Sequence, residues 1–226
     1  IRELWTMFLT RLPLCYTPGG SLTIDEQLVP TRGRCSFRQY MPSKPGKYGL
    51  KLFWCCDSKT AYPLAGEVYL GRQPNTTASN VNDNRINNLV KRLVQPWNNT
   101  GRTITTDNYF TDIKLAEDLL GVQTTLVGTI RPTRREVPRE LYANRWRSEQ
   151  SSIFCFDRQL TLVSYVPKKR RAVILLSSMH HDKAVDNDRQ KKPEIILYYN
   201  DTKGGVDRMN QMLATYSCRR KTKRWP

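Results

Sequence analysis

The hydrophobic period of this chain switches from two to three-and-a-half between residues 21 and 130, and that switch limits what it can fold into. Residues 21–28 alternate apolar and polar. Residues 50–56 are apolar and aromatic throughout, and 62–70 form a third such run after the polar turn Asp57, Ser58, Lys59, Thr60. Short runs of this kind, bounded by turn residues, read as strands. Ile86, Leu89, Val90, Leu93 and Val94 then fall at i, i+3, i+4, i+7 and i+8, one face of a helix that Pro96 ends. Residues 102–106 are a β-branched fourth strand. Thr111 is placed as the N-cap of a helix running to Leu120 with Gly121 as its stop, and 124–130 is a fifth strand. Three meandering strands followed by helix–strand alternation predict an α/β fold: a mixed sheet flanked by helices.

On either side of this stretch the pattern is different. Residues 1–20 read as a helix-like apolar start broken by Thr17, Pro18, Gly19 and Gly20. Residues 134–193 are rich in Arg, Lys and Pro, with strand-like pieces at 152–156, 160–166 and 172–177; they read as a β-rich insertion. After it, 194–199 reads as a strand. Residues 202–217 read as a helix whose apolar side is Val206, Met209, Leu213 and Tyr216.

Charge narrows the partner. Thirty-seven Lys and Arg against twenty Asp and Glu give +17 and a pI near 9.9. That is the footprint of a nucleic-acid-binding domain, because basic side chains displace the counterions condensed on phosphate. No stretch approaches the about 20 apolar residues of a membrane span, and there is no signal-peptide pattern. The six cysteines include no C-x-x-C pair and the two histidines are adjacent, which argues against a zinc finger here and for reduced, buried thiols. A start without Met and an end on Trp-Pro read as a segment of a longer chain.

Three carboxylates stand where a metal could use them. Asp25 interrupts an uncharged strand, Asp107 follows the β-branched run directly, and Asp207 lies on the late helix behind Gly204 and Gly205. A carboxylate inside a strand is costly unless paired or bound to a cation. The strand and helix order is also the ribonuclease H-like order, in which the first strand lies beside the fourth and the late helix packs across both, so the three would converge. Facing carboxylates repel one another and call for a hard divalent cation such as Mg²⁺. Pairing with one of the many arginines is the other reading of each acid taken alone.

Together these segments resemble the piggyBac-type DDE transposases. The resemblance is carried by Ser21-Leu22-Thr23-Ile24-Asp25-Glu26-Gln27-Leu28 with Arg32-Gly33-Arg34-Cys35; by Lys44-Pro45, Lys47-Tyr48-Gly49 and Cys56-Asp57-Ser58; and by Thr106-Asp107-Asn108-Tyr109-Phe110-Thr111 with Leu126-Val127-Gly128-Thr129-Ile130-Arg131. Tyr198-Tyr199-Asn200, Thr202-Lys203-Gly204-Gly205-Val206-Asp207 and the closing Arg220–Pro226 motif complete it. The resemblance implies a ribonuclease H-like catalytic core interrupted by an insertion. It implies Asp25, Asp107 and Asp207 as catalytic and metal-binding residues, Mg²⁺ (with Mn²⁺ as a substitute), and cutting and joining of double-stranded DNA at transposon ends and TTAA targets. The family commonly has a fourth Asp three residues after the third; here Asn210 stands at that position of the metal site.

On that basis the chain divides into 1–20, the tail of a dimerisation and DNA-binding region; 21–133, the first part of the core; 134–193, the insertion; and 194–226, the second part, with a Cys-rich tail expected beyond it. Lys168, Lys169, Arg170 and Arg171 at a hairpin tip, and Arg219, Arg220 and Lys221 near the end, are the expected DNA contacts. Trp54, Trp97, Trp146 and Trp225 are expected to be core or anchoring residues rather than base-stacking platforms, and His180 and His181 surface residues rather than ligands. A nuclear location and a homodimeric full-length protein follow from the same resemblance. The rival reading is a domesticated or decayed DNA-binding descendant without catalysis, which Asn210 favours.

Overall fold

The computed structural model describes residues 2–71 and 85–216. Helix α1 (Arg2–Cys15) precedes strands β1 (Ser21–Pro30), β2 (Gln39–Tyr40), β3 (Tyr48–Asp57) and β4 (Pro63–Val68). Then come α2 (Arg85–Val94), β5 (Thr103–Thr106), α3 (Ile113–Leu120) and β6 (Thr125–Thr129). The next strands are β7 (Ser152–Asp157), β8 (Leu160–Lys168), β9 (Arg171–Ser177), and the short pair β10 (Val185–Asp186) and β11 (Lys192–Pro193). Helices α4 (Glu194–Thr202) and α5 (Gly205–Thr215) close the described chain.

One mixed sheet of nine strands runs in the order β2-β3-β1-β5-β6-β9-β8-β7, with β4 also on β3. β1, β5 and β6 are parallel neighbours: Thr23 lies level with Thr105 and Val127. β1 therefore lies beside the fourth predicted strand, as expected. The strands read as an insertion extend this same sheet, because β9 pairs antiparallel with β6.

Alternation along β1 sends its side chains to two faces. Leu22 and Ile24 join Ile104, Leu126 and the apolar stripes of α2 and α3 in the main core. Thr23, Asp25 and Gln27 point to the other face, where α4 and α5 lie. There Thr23 Oγ donates to the Thr202 carbonyl, and the Thr105 and Thr202 hydroxyls share a 2.7 Å hydrogen bond. Gly205 permits this approach, since a Cβ there would stand 3.0 Å from Thr23 Oγ.

Three expectations are corrected. Residues 194–199 are not a strand but most of α4. Ile195, Ile196, Tyr199 and Thr202 are spaced along one helical face, and the two isoleucines pack on Val127, Val163 and Leu175. A six-residue β-branched and aromatic run cannot distinguish the two periods. The N-cap of α3 is Asp112, not Thr111: Asp112 accepts from Leu115 N–H, while the Thr111 hydroxyl donates to the Asp107 carbonyl at 2.7 Å. In α5, Val206 and Met209 are buried, but Leu213 and Tyr216 are exposed.

Candidate active site

The parallel register places the first two acids. Thr23 and Thr105 are level on adjacent strands, so Asp25 and Asp107, two residues on in each, emerge side by side on the same face. Asp25 Oδ1 accepts the Glu26 N–H at 2.7 Å, and Asp107 Oδ1 accepts the Tyr109 N–H at 2.9 Å. Behind Asp107, Thr111 is pressed against Gly128, where a Cβ would stand 2.2 Å from the threonine oxygen. Gly128 is therefore what lets the loop carrying Asp107 fold down onto β6.

Asp207 arrives from the first turn of α5, a helix whose N-cap is Gly204. Asp25, Asp107 and Asp207 line one cavity of about 240 Å³, together with Thr105, Tyr199 and Lys203. Asp207 is exposed on its rim. The tightest grouping is different from the one read in the sequence: single oxygens of Asp25, Glu26 and Asp107 all lie within 4.8 Å of one another.

Burial pushes the Asp25 carboxyl up to about 7, and the neighbouring charges of Glu26 and Asp107 push the same way. Burial also raises Asp107, against hydrogen bonds from the backbone of Tyr109 and Phe110. Two ammonium groups flank the acids. Lys44 Nζ lies 3.8 Å from Glu26. Lys51 sits over the rings of Phe53, at 4.8 Å, and Tyr109, at 4.5 Å; burial lowers its pKa while Glu26, Asp107 and Asp25 raise it. Three half-buried carboxylates this close form a hard-oxygen donor set suited to a divalent cation of the Mg²⁺ type.

Asn210 does not line the cavity. It accepts a hydrogen bond from the Gln27 side chain, and Gln27 accepts from the Trp54 indole at 2.7 Å. The Lys168–Arg171 segment is the tip of the β8–β9 hairpin, exposed, with Arg170 at φ 62°. Arg219, Arg220 and Lys221 lie outside the described residues, as does Trp225. Trp54 and Trp97 are buried as expected, but Trp146 is 80% exposed, which overturns its reading as a core residue. His180 is also corrected: it is buried, bonded to Ser177 Oγ at 2.8 Å and edge-on to Tyr198.

The sequence reading missed Glu26, Lys44 and Lys51 as site neighbours. The available signal was Lys51 itself, an ionisable residue between Leu50 and Leu52 in an otherwise apolar strand.

A mixed sheet flanked by helices, with acids from its first and fourth core strands and a late helix around one cavity, defines a ribonuclease H-like core of the DDE transposase class. The whole chain, residues 1–226, matches the family described as Transposase IS4, and the protein belongs to that family. The chain is 46% identical to a piggyBac transposase solved by cryo-EM in a synaptic complex with hairpin DNA, with a TM-score of 0.90; the match covers 100% of this chain and 46% of that one. It is 25% identical over 218 residues to the human PiggyBac transposable element-derived protein 3, covering 90% of this chain and 36% of the relative. It is likewise 25% identical to the human Chimeric ERCC6-PGBD3 protein, spanning 20% of that protein. The chain thus spans about a third of the first of these curated relatives.

Proposed function

We propose that this chain is the catalytic core of a piggyBac-like transposase that hydrolyses phosphodiesters at transposon ends and transfers the freed strands to TTAA targets in nuclear DNA. The observation that carries this reading is the convergence of Asp25, Asp107 and Asp207 on one cavity. Asp25 and Asp107 would hold the divalent cation, Mg²⁺ or Mn²⁺, from the sheet, and Asp207 would close the set from α5. When bound, Mg²⁺ activates the attacking hydroxyl and stabilises the leaving oxygen. The chain's own residues do the rest. The backbone N–H groups of Glu26 and Tyr109 fix the carboxylate rotamers of Asp25 and Asp107. Lys44 and Lys51 offset the negative charge of the three carboxylates. Lys203, on the cavity wall, offers a cation to a phosphate. The hairpin tip Lys168–Arg171 supplies phosphate contacts that position the duplex. The full-length protein is proposed to act as a homodimer.

The test is cleavage of duplexes carrying the element's own termini in Mg²⁺, by the full-length protein and by its Asp25→Asn and Asp107→Asn variants. Cleavage by the parent that both variants lose supports the reading. DNA binding by the parent with no cleavage, in either Mg²⁺ or Mn²⁺, sinks it in favour of a decayed, DNA-binding descendant. The neutral Asn210 is the observation that favours that second reading.

A further inference from the structure

The indole of Trp146 is 80% exposed, and the residues beneath it hold it there. Asn144 Oδ1 accepts the N–H groups of both Trp146 and Arg147 at 2.9 Å, closing a tight side-chain turn. The Arg147 guanidinium folds inward. It donates to Ser164 Oγ at 2.6 Å, the Ser164 carbonyl at 2.9 Å, the Leu141 carbonyl at 3.2 Å and the Ser151 carbonyl at 3.3 Å. The Arg145 guanidinium instead lies on the indole, 4.4 Å from the ring centroid. One arginine is therefore an internal clamp, and the other lies over an exposed ring.

Pairing fixes where this ring sits. The Lys169 N–H donates to Glu149 at 2.9 Å, and Gln150 and Ser151 bond across to Val166, so the loop is latched to the β8–β9 tip. Leu176 of β9 lies level with Gly128 and hence with Thr106, next to Asp107. Arg171 is five residues further along β9, beyond the end of β5 from which Asp107 emerges; Lys168 lies opposite it, and β7 begins at Ser152 opposite Tyr165. The Trp146 loop and the basic tip thus project from the same end of the sheet as the acids. Together they expose Arg145, Lys168, Lys169, Arg170 and Arg171 against the single carboxylate of Glu149.

We infer that Trp146, backed by Arg145, is a stacking platform for an unpaired nucleobase of the DNA whose backbone the Lys168–Arg171 tip holds. Charge of this density selects a polyanion, and phosphates alone require no indole. A paired base inside a duplex has both faces covered, so the platform discriminates in favour of DNA with an unstacked base, as at a hairpin tip, a bulge or a frayed end. The inference rests on the DNA-acting reading above, and it adds the residues that would meet an unpaired base.

The test uses fluorescence anisotropy in EDTA, with two labelled probes: a flush duplex, and the same duplex closed by a hairpin with unpaired thymines. Trp146→Ala is expected to weaken hairpin binding by about 5- to 100-fold, the range of one lost base stack, and to leave flush-duplex binding and the melting temperature unchanged. Trp146→Phe is expected to retain most of the preference. Lys168→Ala with Lys169→Ala is expected to weaken both probes alike and to flatten the salt dependence, by a slope of about 0.9 per lost phosphate contact. Equal effects of Trp146→Ala on both probes, or none on either, overturn the inference while leaving the DNA-acting reading intact. A change in oligomeric state without a change in hairpin affinity assigns the indole to a protein contact and also overturns it. Failure of the parent protein to bind either probe overturns the DNA-acting reading, and this inference with it.

Discussion

Gln27 gives its side-chain N–H to Asn210 and takes the indole N–H of Trp54, so a chain of two hydrogen bonds ties α5 through the strand carrying Asp25 to β3. Its direction is forced. An indole can only donate, so Gln27 must turn its oxygen to Trp54 and its nitrogen to position 210. Position 210 must therefore present an acceptor, which a carboxylate supplies as well as an amide does. Asn210→Asp is expected to fold with unchanged or higher stability and to bind Mn²⁺ more tightly. In a Gln27→Glu background the same change sets two carboxylates against each other, and the melting temperature is expected to drop below that of either single variant. Thermal unfolding of the four proteins checks this; additive effects would show that the two side chains do not meet. Gln27→Leu leaves the buried indole N–H without a partner, at a cost of about 1–3 kcal/mol.

The Asp25 carboxyl gives the metal-free protein a definite pH signature. Its folded pKa, about 7, lies above the ordinary carboxylate value of 3.8, so folding favours the protonated form. The stability it contributes is complete below that lower value and is lost as pH rises through about 7. The melting temperature without metal is expected to fall over that interval in the parent, and to fall less in Asp25→Asn. Excess Mn²⁺ is expected to reverse the fall, because a cation stabilises the ionised set. Identical pH profiles for parent and variant would remove Asp25 as the source.

Gly128 and Gly205 make unequal demands. A Cβ at 128 would lie 2.2 Å from Thr111 Oγ and 2.6 Å from the Thr106 carbonyl; the backbone atom cannot turn aside. A Cβ at 205 would meet Thr23 Oγ at 3.0 Å and the Asp57 carbonyl at 3.2 Å, which small shifts relieve. Gly128→Ala is expected to cost about 1–3 kcal/mol or more, and to weaken Mn²⁺ binding by displacing the Asp107 loop. Gly205→Ala is expected to cost less. Denaturant titration of both variants checks the order.

These glycines mark how far the sequence can be read. The neighbouring positions of Asp25 and Asp107 were legible, because parallel pairing of two short strands with a period of two leaves little freedom once their order is known. The identity of α4 was not: Glu-Ile-Ile-Leu-Tyr-Tyr satisfies both periods, and what decides is the threonine-lined face of β1 and β5, which offers Thr202 hydrogen-bond partners. Trp146 was misread because aromatic area predicts burial, whereas from Ala143 to Gln150 no other large apolar residue accompanies it. Glu26 was missed for a geometric reason. Alternation sends it to the opposite face from Asp25, but near the end of β5 no strand separates the two faces, and both carboxylates reach Asp107.

That crowding makes Glu26 and its two lysines opposing controls on cation affinity. Glu26 has an oxygen within 4.8 Å of oxygens of Asp25 and Asp107, so Glu26→Gln removes a negative charge from the group that would surround the cation. Mn²⁺ affinity is expected to fall by about 10- to 100-fold, the usual range for losing a group that supports the ligands. Lys44, 3.8 Å from Glu26, and Lys51, over Tyr109, act in the other direction. Lys44→Met removes a competing positive charge and is expected to tighten Mn²⁺ binding while lowering the stability of the metal-free protein, which then holds three acids with one fewer counter-charge. Isothermal titration with Mn²⁺, paired with melting curves with and without it, reads both quantities. Weaker binding in Lys44→Met, or unchanged binding in Glu26→Gln, would remove Glu26 from the site and leave the cation to Asp25, Asp107 and Asp207.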